Sequence, residues 1–358
     1  QTEERRGKRK MVKTKDAVND MTVGTPAKLI IQFMIPVFLG NIFQQFYNIA
    51  DSIVAGQFIG VKALAAIGST GSLMFFVTGW LNGLSSGFAI LVSQWFGAKQ
   101  YDKMRHYVAM SVYLAGGCAV LMTAGLLIAN EPILRMMNYS AEIMPEVKQY
   151  MGIIYAGLIV TAAYNSLAAF LRAIGDSKSP LYFLIISAVI NVALDVVFIV
   201  VFGMGVEGCA YATVIAQAIS ALLCFIYIVK KFPILHLTKS DRKISFQSFG
   251  RLLSLGIPMG LQFSITAIGT IIVQGAVNVY GETYMAGFSA AGKLQNMIMT
   301  VFVAFGATVA TYVGQNRGAG RMDRVKSGVR CTQVMILVWS VIAMAAVCFG
   351  GKYMTWLF

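Results

Sequence analysis

Two carboxylates stand where a carboxylate is expensive. Asp51 and Asp195 each interrupt a long apolar run (NIADSIVAGQF and ISAVINVALDVVFIV), whereas the other 13 of the 15 acidic residues fall in polar stretches. An ionisable group at membrane depth costs at least a few kcal/mol and is a functional candidate by default; the plainer reading is a carboxylate that only caps or pairs structurally. Asn191 precedes Asp195 by one helical turn on the same face. At about 1.5 Å of rise per residue, Asp51 lies roughly 33 Å above Leu29 and Asp195 roughly 21 Å above Leu181. Thr213 and Tyr150 fall at a similar level in neighbouring runs. Two carboxyls, an amide and two hydroxyls brought together can do one of two things. Carboxyls crowded in a low dielectric can hold a proton near neutrality, or the same oxygens can replace the water around a small hard cation such as Na⁺. Either way an ion gradient can be converted into a change of conformation.

Other residues at such depth are fewer. Lys293 is the one embedded base, and it either snorkels outward or lines a cavity. Gln45 and Gln262, in the first and seventh apolar runs, are further cavity candidates. Pro36 and Pro258 interrupt those same two runs. Matched interruptions point toward substrate or hinge regions, while a tolerated kink filled by neighbouring helices is the alternative. The five cysteines lie in apolar runs without ligand spacing and read as small buried residues. Nothing resembles a metal centre, a hydrolytic centre or a phosphate loop, so neither an enzyme nor a bound cofactor other than H⁺ or Na⁺ is expected.

The elements that must hold these residues are membrane helices. Of 358 residues 57% are hydrophobic and 12% charged, against about 25% charged in a soluble domain. That excludes a secreted disulfide scaffold, a disordered chain and a nucleic-acid-binding domain, even though the formal charge is +14. Nine runs are long enough to cross a bilayer. They lie near Leu29–Ala55, Ala63–Phe96, Tyr107–Ala129, Val147–Leu171, Leu181–Phe202, Val206–Val229, Leu252–Val279, Tyr284–Val313 and Val329–Gly350. They are continuous, without the alternation of barrel strands, so the expected fold class is an all-α integral membrane protein. With the N-terminus placed in the cytoplasm, 24 of the 29 Lys and Arg residues fall on that side and 4 on the other, as the positive-inside rule requires. The expected location is the inner (cytoplasmic) membrane, multi-pass, N-terminus cytoplasmic. Met11 is a candidate start, with the first ten residues read through from upstream.

An internal repeat sets the domain boundaries. IleProVal at 35–37 matches IleProMet at 257–259 at an offset of 222. Gly60, Ala65, Gly71, Gln94, Gly97, Ala98 and Asp102 recur as Gly281, Ala286, Gly292, Gln315, Gly318, Ala319 and Asp323 at an offset of 221. Six spans separate the copies, so both enter from the same side and are related by an axis along the membrane normal. The expected organisation is a basic, unstructured tail (1–28), a six-helix lobe (29–230), a cytoplasmic linker (231–251) and a second lobe (252–358). The second lobe holds the first three helices of the repeat. A complete repeat implies twelve helices, about nine of them here.

Three stretches carry a family resemblance: IADSIVAGQFIG at 49–60, LRAIGDSKSPLYFLIISAVINVALDVVFIVVFGMGVEGCAYATVIAQ at 171–217, and GETYMAGFSAAGKL at 281–294. On these the chain resembles the multidrug and toxic compound extrusion (MATE) family of the multidrug/oligosaccharidyl-lipid/polysaccharide exporter superfamily. The resemblance implies two pseudo-symmetric six-helix lobes around a cavity that opens alternately to each side, and export of organic cations and other amphiphiles in exchange for H⁺ or Na⁺. It is closer to the DinF-like bacterial branch, whose pattern of a first-helix Asp, a fifth-helix Asn and Asp, a fourth-helix Tyr and a sixth-helix Thr falls here on Asp51, Asn191, Asp195, Tyr150 and Thr213. The NorM-like branch has a Glu in the seventh helix, and the seventh run here contains no acid.

The leading expectation is therefore an antiporter with the lipid bilayer and an amphiphilic small molecule as its partners, acting as a monomer. A lipid or lipid-linked oligosaccharide flippase of the same superfamily would want several cations lining its cavity, where this chain offers Lys293. A channel or receptor is disfavoured by the duplication with embedded acids. The twenty methionines suit either a pliable multidrug cavity or ordinary membrane packing.

Overall fold

The structure, a computed structural model, describes residues 20–137, 139, 142–278 and 282–355. The expected unstructured tail at 1–19 and the Lys293 side chain lie outside the described residues. Inside a bilayer the backbone must bond to itself, and the described chain does so through helices: α1 (Pro26–Phe58), α2 (Val61–Ser69), α3 (Gly71–Gly97), α4 (Tyr101–Met136), α5 (Met144–Ala156), α6 (Leu158–Ala173), α7 (Lys178–Val196), α8 (Val206–Lys231), α9 (Phe246–Asn278), α10 (Glu282–Gly318) and α11 (Met322–Thr355). Among the described residues eight helical spans are long and apolar enough to cross a membrane, and nine if α5 and α6 count as one bent span.

Three expected spans are reshaped. The second is divided at Thr70, whose hydroxyl donates to the Ile67 carbonyl at 2.7 Å. The fourth bends by 47° between α5 and α6. It bends at Gly157, where a Cβ would come within 2.5 Å of Val214 Cγ2 on α8; the missing side chain lets the corner seat directly on that helix. The seventh starts at Phe246, six residues before the apolar run. Pro36 and Pro258 sit inside α1 and α9 without ending either helix. The cysteines divide by the face they occupy. Cys209 and Cys224 are buried, whereas Cys118 and Cys331 are half-buried and Cys348 is exposed, so the expected burial fails for those three because their helix faces point out of the bundle.

The helices α1–α8 form one bundle in which α7 packs on both α1 and α8, and α6 on α3, α4 and α8. The helices α9–α11 join it through α9 on α3, α10 on α3 and α1, and α11 on α1. The α3–α9 contact is backbone to backbone. Gly79, Gly83 and Gly87 form a stripe on α3, and a Cβ would come within 2.5 Å of the Met259 carbonyl at Gly83 and 2.6 Å of the Gly256 Cα at Gly87. Small residues at one-turn spacing permit this closeness in membranes.

A second contact between α3 and α10 is self-complementary. A Cβ on Gly97 would overlap the Gln315 carbonyl, one on Gly318 the Gln94 carbonyl, and one on Gly314 the Ser93 hydroxyl. Ser93, Gln94 and Gly97 are the repeat mates of Gly314, Gln315 and Gly318, so the Gly97–Gln315 contact is repeated by their mates Gly318 and Gln94, and Ser93 meets its own mate Gly314. Two-fold axes produce that pattern, and both helices end on the same side, as a parallel repeat requires. The segment before α1 seals this end. The Met21 side chain is buried among Phe33, Phe305 and Tyr312. Its N–H donates to Gln315 Oε1 at 3.0 Å, and its carbonyl accepts from Asn316 Nδ2 at 3.1 Å and Arg324 Nη2 at 3.2 Å. Gln315 Nε2 in turn donates to the Ala173 carbonyl at 2.9 Å.

The linker after α8 is pinned to α4. Arg105 Nε donates to Asp241 Oδ2 at 3.0 Å, and the His106 ring contacts the Asp241 carbonyl at 3.1 Å and Ser248 Oγ at 3.0 Å. Burial pushes the Asp241 carboxyl up, but the hydrogen bonds from Thr238 and the Arg105 guanidinium outweigh it and hold it below the usual carboxylate range.

Two expectations follow for thermal unfolding. Gly97→Ala and Gly318→Ala should each destabilise by about 1–3 kcal/mol through overpacking, whereas Gly116→Ala, where a Cβ meets nothing within 4 Å, should be neutral or slightly stabilising. Asp241 stabilises the charged form of the folded linker, so its contribution is full at neutral pH and lost as pH falls through its lowered folded value. Wild-type protein should therefore approach Asp241→Asn in stability under acid and exceed it at pH 7.

Candidate functional site

The packing of both α1 and α8 on α7 decides where the polar residues go. Asn191 and Asp195 share one face of α7, Asp51 comes from α1 and Thr213 from α8. All four side chains are buried, Asp195 completely. Thr213 Oγ1 donates to Asp51 Oδ2 at 3.0 Å, and Asn191 Nδ2 donates to Thr213 Oγ1 at 3.5 Å. The Asp195 carboxyl lies beside that of Asp51. Tyr150, from α5, is buried in the apolar cluster that includes Val54 and Ala55 just after Asp51 and Cys209 and Ala210 just before Thr213. The five residues singled out in the sequence therefore converge on one region of the first bundle.

The cluster is short of donors. Asp51 Oδ1, Asn191 Oδ1 and both carboxylate oxygens of Asp195 are buried without a hydrogen-bond partner among the described residues. Buried acceptors in that state are costly. Two additions would relieve them: a proton on one carboxyl, donated to its neighbour, would join two of the oxygens, and a small cation could be ringed by all four. Two carboxylates so close in a dry site would otherwise repel.

Local backbone chemistry contributes what residue types alone did not reveal. Immediately after Asp195, α7 widens into a π-helical turn at Val197–Val201, a deformation frequent at functional sites. The Gly157 corner places its contact residue Val214 next to Thr213. Cys209, one turn before Thr213, lies within electrostatic range of both carboxyls; in the sequence it is indistinguishable from the other buried small residues. Gln45 and Gln262 are exposed, on α1 and α9, outside this cluster.

Comparison with known proteins places this arrangement. A family model described as MatE matches residues 36–197 and again residues 258–358, so that each match begins at one of the two repeat prolines. The chain belongs to the MatE family. Among curated relatives of this MatE chain, a probable multidrug resistance protein, YpnP of Bacillus subtilis, is 32% identical over 310 residues, covering 86% of this chain and 68% of the relative. A probable multidrug resistance protein, NorM of Thermotoga maritima, is 24% identical over 322 residues, covering 88% of this chain and 68% of that protein. The chain thus spans about two thirds of the length of these relatives. A solved MOP superfamily transporter from Pyrococcus furiosus superposes with a TM-score of 0.87 at 21% identity, over 94% of this chain and 75% of that one. The all-helical expectation and the family expectation both hold.

The site predicts opposite effects of two substitutions on stability. Asp195→Asn supplies donors to an oxygen-rich cluster and removes a buried charge, so it should leave the unfolding temperature unchanged or raise it by about 2 °C. Thr213→Val removes the donor to Asp51 and should cost about 1–3 kcal/mol. Thermal unfolding of both MatE variants would show a structural role for Asp195 if its change proved as damaging as that of Thr213.

Proposed function

We propose that this MatE chain is the ion-coupling part of an antiporter that exports amphiphilic, cationic small molecules in exchange for H⁺ or Na⁺. The observation that carries the reading is the set of four partnerless buried oxygens on Asp51, Asn191 and Asp195. An ion can drive a conformational change only by binding two conformations unequally. These oxygens come from different helices: Asp51 rides on α1, which also packs on α10, whereas Asn191 and Asp195 ride on α7. Closing them on an ion changes how α1 sits between the two halves of the chain. Tyr150 walls the cluster on its apolar side, and α9 brings no acid to the second half, which favours coupling through the first lobe.

The proposed lobes are 29–230 and 252–358, in an inner membrane with the basic end toward the cytoplasm. Pro36 and Pro258 then lie in the paired helices α1 and α9, each missing one backbone hydrogen bond, where bending costs least. Export by alternating access would require the Met21–Gln315–Ala173 seal at the basic end to part when that side opens. Substrates named for relatives, drugs among them, are the first to assay.

The test is transport by the protein in vesicles with pH and Na⁺ gradients imposed separately. One gradient should drive uphill movement of a cationic dye. Asp51→Asn and Asp195→Asn should each reduce it by about tenfold or more at equal protein abundance, because a factor of ten corresponds to only ~1.4 kcal/mol of lost coupling. Wild-type uphill transport by both variants would remove the cluster from the mechanism.

A further inference from the structure

A groove on the outside of the first bundle, lined by none of the coupling residues, has the build of a lipid site. It lies between α4, α6 and α8, encloses about 540 Å³, and is closed at one end by the linker residues Leu235, His236, Leu237 and Arg242. That volume is in the range of specific small-molecule sites. Its walls are apolar, with Val112, Phe225 and Val229 partly open to the surroundings. Gly116 and Ala163 leave its middle wide.

Its depth matches one leaflet. Val112 is 11 residues from the start of α4 and Ile159 is 14 from the end of α6, roughly 17 and 21 Å by helical rise. The groove therefore climbs from the basic end to about the midplane of a hydrocarbon core ~30 Å thick. An acyl chain anchored at that end would fill it.

Charge at the mouth selects the headgroup. Asp241, the acid beside Arg242, is already engaged by Arg105 and Thr238. Arg242 is left without an ion-pair partner among the described residues, exposed at the mouth with Lys239 and Lys243 beside it. The His236 ring is fixed by donating Nε2–H to the Val229 carbonyl at 2.7 Å. Pinning of the linker to α4 holds Arg242 in place. An unpaired guanidinium above an apolar slot fits a phosphate on an acyl chain and repels an organic cation. Ile244 and Phe246, both strongly exposed just past these bases, suit the apolar layer beneath headgroups. We propose that this groove seats one anionic phospholipid of the leaflet at the basic end, its chain between α4, α6 and α8 and its phosphate on Arg242.

The test is lipid retention by the full chain, which is independent of transport. The protein is reconstituted in nanodiscs of equal phosphatidylglycerol and phosphatidylcholine with matched chains, released into mild detergent, and its retained lipids are read by native mass spectrometry. Wild type should keep one phosphatidylglycerol in preference. Arg242→Gln should lower that preference about fivefold, the worth of roughly one basic residue near an anionic headgroup, whereas Lys243→Gln should lower it less. Gly116→Phe, which fills the groove, should remove one retained lipid of either kind while helicity by circular dichroism is kept. Equal retention of the two lipids by wild type, equal losses in the two linker variants, or an unchanged lipid count in Gly116→Phe would each overturn the proposal.

Discussion

An oxygen buried in a membrane protein has few ways to be satisfied, and the first bundle is arranged around four that are not. Thr213 supplies one hydroxyl to Asp51, and the remaining acceptors of Asp51, Asn191 and Asp195 have no donor among the described residues. The surrounding helices bury all three side chains, so whatever satisfies these oxygens is held inside the bundle. The consequence reaches beyond the cluster. Because α7 carries two of the three residues and packs on both α1 and α8, whatever resolves the conflict must act on the relation between those helices. The softened turn at Val197–Val201 and the Gly157 corner lie where α7 and the α5–α6 span can give without breaking their hydrogen bonding to the rest.

The two halves of the chain meet through unequal surfaces. Along α3 and α9 glycines bring backbones together, whereas the equivalent positions on α10 are the buried Thr300, Ala304 and Thr308. Between α10 and α1 the contact is made by Ile30, Phe33, Val301 and Phe305. Interdigitated side chains can re-pack through alternative rotamers; a backbone seated on a glycine stripe has no such latitude. The glycine-lined contact is thus the stiffer of the two, and relative movement of the halves is expected to fall on the α1–α10 side, on the same helix that carries Asp51 farther along.

Much of this was legible in the sequence because the membrane makes polarity conspicuous. Asp51 and Asp195 stand out as charges in apolar runs, and Asn191 follows from one-turn spacing. Thr213 and Tyr150 needed depth as well as the family resemblance. Span positions were legible for the same reason, but their ends were not: α9 begins in polar sequence at Phe246, where water can serve the backbone as well as lipid excludes it. Breaks inside spans left little trace. A glycine at 157 reads like many others in this chain until Val214 is found against it. The π turn occurs in an unbroken Val, Phe and Ile run, where no residue type signals a change of helical pitch. Burial of the cysteines could not be read at all, since it depends on which face of a helix meets lipid.

The contact between Gly97 and Gln315, mirrored by Gly318 and Gln94, has an implication for history. A surface that is complementary to its own copy can be made by two separate identical chains as readily as by two halves of one. A half-length ancestor carrying a single such helix would already have been able to dimerise in the membrane, with the same end of each subunit facing the same side. Joined in one chain, the two halves need not remain alike: α1 carries Asp51, whereas its repeat mate α9 carries no acid.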